Sequence, residues 1–141
     1  MRRDLMNHVH PVAAIAPQVA TGATALTGAI IDTQGYDSLT FLIQLGTLAA
    51  TSVAATVLVE EGDESDLSDA AAVADANLVG SEALAGFTHA DDGETRKIGY
   101  VGSKRYVRLT ITPTGNDANL PISAMALLGH PQIGATPNPP A

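Results

Sequence analysis

Between residues 39 and 45 the chain alternates strictly. Leu39, Phe41, Ile43 and Leu45 fall on one side, and Thr40, Leu42 and Gln44 on the other. A period of two is the signature of a β-strand with one buried face, and no helix can hold it. The same pattern recurs in Arg105 to Thr112, where Tyr106, Arg108, Thr110 and Thr112 alternate with Val107, Leu109 and Ile111 until Pro113 closes the run. Ala23 to Ile31, Ser52 to Glu60, Lys97 to Val101 and Leu120 to Leu128 read as further strands. Asp32-Thr33-Gln34-Gly35 supplies turn chemistry between two of them. Gly102-Ser103 predicts a hairpin joining 97–101 to 105–112. Segment 61–94 reads mainly as loop, with a short strand at Leu78-Val79. No helical period long enough for a βαβ unit occurs. Six or more strands between Gly, Pro and Asp turns predict an all-β antiparallel β-sandwich, jelly-roll-like, over residues 23–130.

The ends differ from the middle. Residues 1–22 sustain neither period and carry Pro11 and Pro17; they are expected to form an extended N-terminal arm. Residues 129–141 contain four prolines in thirteen residues, which excludes a helix or a central strand. The proline-rich C-terminal arm proper is set at 131–141. Both arms are expected to order only against a neighbouring subunit, so removal of 1–22 should leave the sandwich folded.

A length of 141 residues suits one domain. There is no cysteine, which excludes disulfides, thiolate metal sites and cysteine nucleophiles. Aromatics are only Tyr36, Phe41, Phe87, Tyr100 and Tyr106, so the core is built from small and β-branched side chains and buries little area per residue. Such a protein is expected to draw stability from neighbours. A formal net charge of −8 argues against direct nucleic-acid binding. No apolar run reaches the roughly 18 residues of a membrane span. Arg2 and Arg3 are followed by Asp4, Asn7, His8 and His10, a poor signal peptide, so folding in the cytoplasm of the cell that makes the protein is expected.

Charge is segregated along the sequence. Glu60, Glu61, Asp63, Glu64, Asp66 and Asp69 crowd six carboxylates into ten residues. Their spacing does not match a calcium loop, and a solvated, metal-free hairpin is expected. Residues 60–94 hold eleven of fifteen carboxylates, and residues 96–108 hold five of seven basic side chains. If these stretches lie at opposite ends, copies could meet acid to base. Arg96, Lys97, Lys104, Arg105 and Arg108 are therefore the candidate partner-binding residues. His8 and His10 would share one side of an extended arm, but no third ligand lies near for zinc. Tyr100 and Tyr106 could form a sugar platform, although tyrosines more often cap a core. No nucleophile elbow or phosphate loop occurs, so neither a catalytic activity nor a cofactor is expected.

Two runs carry a resemblance: Ile31-Asp32-Thr33-Gln34-Gly35-Tyr36-Asp37-Ser38-Leu39-Thr40-Phe41, and Lys97-Ile98-Gly99-Tyr100-Val101-Gly102-Ser103-Lys104-Arg105-Tyr106-Val107-Arg108-Leu109-Thr110-Ile111. With the acidic hairpin between them, they resemble small structural proteins of tailed-bacteriophage and prophage virions over about residues 29–130. The resemblance implies a virion β-sandwich without catalytic residues. The role it suggests is a capsid decoration (cement) protein at the capsid surface. Its partners would be the major capsid protein or other virion subunits, and it would act as a homo-oligomer, with a trimer as the guess. The alternatives are a head–tail connector or tail component, and a carbohydrate-binding module for host attachment.

Overall fold

A computed structural model describes residues 3–140; Met1, Arg2 and Ala141, parts of the two expected arms, lie outside the described residues. Eleven strands follow in chain order: β1 Val9–Ala20, β2 Leu26–Thr27, β3 Ile31–Asp32, β4 Tyr36–Leu45, β5 Ala54–Gly62, β6 Ala71–Ala72, β7 Leu78–Val79, β8 Phe87–Thr88, β9 Thr95–Tyr100, β10 Tyr106–Thr114 and β11 Leu120–Pro131. One short helix, α1, spans Glu82–Ala85. The strands form two antiparallel sheets, a β-sandwich of the jelly-roll-like kind. One sheet has five strands in the order β1-β11-β4-β9-β7. The other has six, with β2-β10-β5-β6 as its path, β3 beside β10 and β8 beside β5.

The alternation in the sequence decides which face of each strand goes inside. Leu39, Phe41, Ile43 and Leu45 of β4 are buried, and so are Val57 and Val59 of β5 and Val107, Leu109 and Ile111 of β10. These rows meet between the sheets in one hydrophobic cluster. Phe41, Phe87 and Tyr100 are its buried aromatics, and aliphatic side chains fill the rest.

Four expectations are corrected. The first concerns the N-terminal arm. Residues 9–20 are a strand of the five-stranded sheet, paired with β11 from Val9↔Gly129 to Ala20↔Leu120. Ala14, Ile15 and Ala20 belong to the core. Two prolines are tolerated because β1 is an edge strand, whose outward N–H groups have no ladder partner to lose. Irregularities between Ala13 and Ile15 and between Ile15 and Gln18 shift the register, and Pro17 lies in the second. Those shifts hide the period of two.

The second correction concerns the C-terminal arm. The strand β11 continues to Pro131, and the tail beyond it is fastened to its own chain. Thr136 is buried; its N–H donates to Asn7 O at 3.0 Å and its hydroxyl to Val9 O at 2.8 Å. Gln132 N–H donates to Gly35 O at 2.9 Å.

The third concerns the hairpin expected across Gly102-Ser103. The strands β9 and β10 belong to different sheets, and residues 101–105 cross between them. Gly102 is needed there, because a Cβ at that position would overlap the Tyr100 ring. The fourth is the strand expected over Ala23–Ile31, which is split into β2 and β3. Between them Gly28 N–H donates to Leu109 O at 2.8 Å and Ala29 N–H to Ala14 O at 2.7 Å, so the segment ties one sheet to the other.

Candidate functional site

The acidic and basic stretches do not lie at opposite ends. Strands β5 and β10 are neighbours, and their register sets Arg108 directly opposite Glu60. Arg108 Nη2 lies 2.8 Å from Glu60 Oε2. Lys104 pairs with Asp63. Arg105 binds Asp32 with two parallel bonds of 2.9 and 2.8 Å, donates to Gln34 at 2.6 Å, and lies 5.0 Å over the Tyr106 ring. Arg96 pairs with Asp91 at 2.9 Å and with Glu94, and its Nε donates to Gly86 O at 3.3 Å. Four of the five candidate partner-binding residues are thus ion-paired within the chain, and the arrangement at opposite ends on which the acid-to-base reading depended is corrected. Among the described residues, Lys97 alone of the five has no ion pair.

The acidic hairpin is organised by Asp69. Its carboxylate accepts from Asp63 N–H at 2.7 Å and from Glu64 N–H at 3.2 Å. Hydrogen bonds to the ionised form hold its pKa low, the Asp63 amide first. Asp32 is held low chiefly by its bonds from Arg105, and Asp91 by the Thr88 amide. Each depressed carboxylate stabilises the fold above the ordinary range near 3.8, and that contribution is lost as pH falls through the lower native value. The melting temperature is therefore expected to hold from neutral pH to about 5 and to drop below about 4. Asp69→Asn should lower the neutral value and flatten the acid slope. Thermal melts from pH 3 to 7 check this; an unchanged slope in the variant would remove Asp69 from the explanation.

Tyr100 is buried at the end of β9 and reaches across the sandwich. Its hydroxyl donates to Glu61 of the opposite sheet and accepts from Lys104 N–H at 3.0 Å. Burial, and then the Glu61 carboxylate, hold the phenol well above its ordinary pKa. Tyr106 carries Arg105 on its ring. Tyr100 thus caps the core, the commoner role of such a tyrosine, and contributes no open ring face beside Tyr106. The histidines separate as well. His10 is buried and stacks on Tyr36 with centroids 5.6 Å apart, whereas His8 ends a 3₁₀ turn at the surface and His130 Nδ1 meets Ser38 Oγ at 2.9 Å.

The outer faces of the two sheets differ in kind. On the six-stranded sheet the outward row is Thr110, Thr112 and Thr114 of β10 beside Leu58, Thr56 and Ala54 of β5, with the Arg108–Glu60 pair above. On the five-stranded sheet one row crosses all five strands: Pro11, Leu127, Thr40, Gly99 and Val79. The next row is Ala13, Met125, Leu42 and Lys97. Lys97 is the only charge in these two rows. Two shallow grooves flank them. A groove of about 600 Å³ runs along the β9 edge beneath Val79, Leu84 and Val101. A second of about 640 Å³ lies between His8, Leu127 and His130, and the two share Ser38 and Thr40. This face was not singled out from the sequence. Its signal was Leu42, an apolar residue on the side of β4 otherwise taken by Thr40 and Gln44.

No family model matches the sequence, and neither does any curated protein. Among solved structures the chain is similar to the PBSX exported protein XepA, with a TM-score of 0.55 and 12% identity over 100% of this chain and 43% of that one. The chain thus spans less than half the length of XepA. It also aligns with the SPBc2 prophage-derived protein YomS (TM-score 0.42, 9% identity, 86% of this chain and 93% of that one). A further alignment is with the xylan-binding module CBM15 (TM-score 0.42, 12% identity, 94% of this chain and 97% of that one).

Proposed function

We propose that this chain is a virion structural protein of a tailed bacteriophage or prophage, and that it decorates the capsid shell in many copies. The observation that carries the reading is the outer face of the five-stranded sheet. It presents Met125 at 44% and Leu42 at 37% exposure in adjoining positions, with a single cation and no carboxylate in its two central rows. A charge-poor apolar patch rimmed by polar residues fits a protein–protein contact. The sandwich shared with the phage-derived XepA supports the setting, as do the two runs that resemble virion proteins.

Purified chain added to shells lacking it should load to many copies per particle, counted by cryo-EM or quantitative mass spectrometry. A count near six or twelve, confined to one vertex, would move the protein to the head–tail region. Failure to load, with retention on a glycan array instead, would favour host attachment.

A further inference from the structure

The edge of the five-stranded sheet beside β7 is only partly closed. The strand β7 pairs with Tyr100 and Gly99 and then ends, so residues 95–98 of β9 have no strand on that side. Val101 N–H donates to Asn77 O, so the odd-numbered residues here turn their backbone groups toward this edge. Lys97 and Thr95 are therefore the next residues to face it. No backbone bond from either N–H to the crossing segment 80–86 occurs among the described residues. The segment packs beside β9, where Arg96 Nε donates to Gly86 O at 3.3 Å, and a groove of about 600 Å³ remains between them, lined by Val79, Gly80 and Leu84 and by Thr95 and Lys97. Val79 is 60% exposed and Leu84 75% exposed.

The opposite edge of this sheet is different. There β1 carries Pro11, Pro17 and two register shifts, the devices that keep an edge from pairing. The β9 edge has neither proline nor register shift, and only the short helix α1 packs beside it. It has unpaired backbone groups, apolar walls and one cation without a counter-ion.

We propose that this edge is a binding site for an extended peptide segment of a partner protein, added as a strand beside β9 in continuation of β7, with an acidic side chain set against Lys97. Main-chain bonds to Thr95 and Lys97 supply the attachment. Val79 and Leu84 receive alternate apolar side chains of the segment, and Lys97 selects its charge.

The test uses the ¹⁵N-labelled full chain and two blocked heptapeptides. One is acetyl-Thr-Val-Thr-Glu-Thr-Val-Thr-amide; the other has Lys in place of Glu. At millimolar concentrations the Glu peptide is expected to shift the amides of residues 95–99 and 79–80, and to bind about fivefold more tightly than the Lys peptide. Lys97→Glu should reverse that preference. Thr95→Pro places proline at the first residue of the strand, where it is tolerated, and removes an edge donor; it should weaken both peptides with the melting temperature kept. Absence of shifts at these amides, or equal binding of both peptides to the parent and to Lys97→Glu, would overturn the proposal. Shifts of the same amides on raising protein concentration without peptide would overturn it in favour of a second copy of the chain.

Discussion

A chain shortened by residues 1–22 is expected to lose more than about 4 kcal/mol of stability and to melt at least 10 °C below the full chain, if it folds cooperatively at all. The deletion removes the edge strand β1 and with it the buried Ala14, Ile15 and Ala20. Burying an isoleucine side chain is worth about 1.5–3 kcal/mol alone. Loss of β1 also uncovers Ile122, Ala124, Ala126 and Leu128 of β11 along one side, and strips the backbone partners from nine paired positions of that strand. The C-terminal tail loses the anchors of Thr136 too, which bonds to Met6, Asn7 and Val9. Against a total stability of about 5–15 kcal/mol for a domain, this is a large share. Thermal and urea melts of the two chains give the answer. A shortened chain melting within a few degrees of the parent would return residues 1–22 to the status of a detachable arm.

Met125→Glu is expected to cut loading onto shells at least tenfold, about 1.4 kcal/mol of binding free energy, while the melting temperature stays within a few degrees. Met125 lies at the middle of the outer face, between Ala13 and Leu42, and faces solvent in the free chain. A carboxylate there costs the free protein little. It becomes expensive when a partner covers it without supplying a counter-charge. Thr110→Glu, on the outer face of the other sheet beside Leu58 and Thr27, is the matched control and should load like the parent. Equal loading of Met125→Glu and parent would exclude the five-stranded face as the attachment surface. Sensitivity of Thr110→Glu alone would assign attachment to the opposite sheet.

What the sequence disclosed follows from where its signals are local. Alternation in β4 and β10 depends only on residues two apart, so these strands, their buried faces and the sandwich class were legible. So was the short strand at Leu78–Val79. Pairing is not local. Nothing in Lys97–Val101 and Arg105–Thr112 tells that a five-residue link carries the chain from one sheet to the other rather than back along the same one; only the packing of Gly102 against Tyr100 does. The arm at 1–22 was misread for a related reason. Proline and broken periodicity mark irregular chain in general, yet on an edge strand with register shifts both are compatible with a twelve-residue strand. The charge segregation was real as sequence and reversed in meaning by topology. Adjacent strands in one sheet turned two opposed blocks into cross-strand pairs such as Glu60–Arg108. The apolar outer face combines residues from five separate segments, and Leu42 alone hinted at it within one of them.

The pairing of β1 with β11 joins the first strand of the chain to the last. During synthesis, then, the five-stranded sheet cannot close until residue 131 has left the ribosome. Until that moment β1, twelve residues without a single charged Asp, Glu, Lys or Arg side chain, has no partner. Contacts this distant in sequence slow folding into the millisecond-to-second range typical of all-β domains. A nascent chain arrested before β11 would expose β1 and the interior side of β4 together, and would be the form most prone to aggregate or to engage a chaperone. Production of the protein in quantity would accordingly depend on the interval between the emergence of β1 and that of β11, so that slower translation of the codons leading up to and through β11 should lower the yield of folded chain.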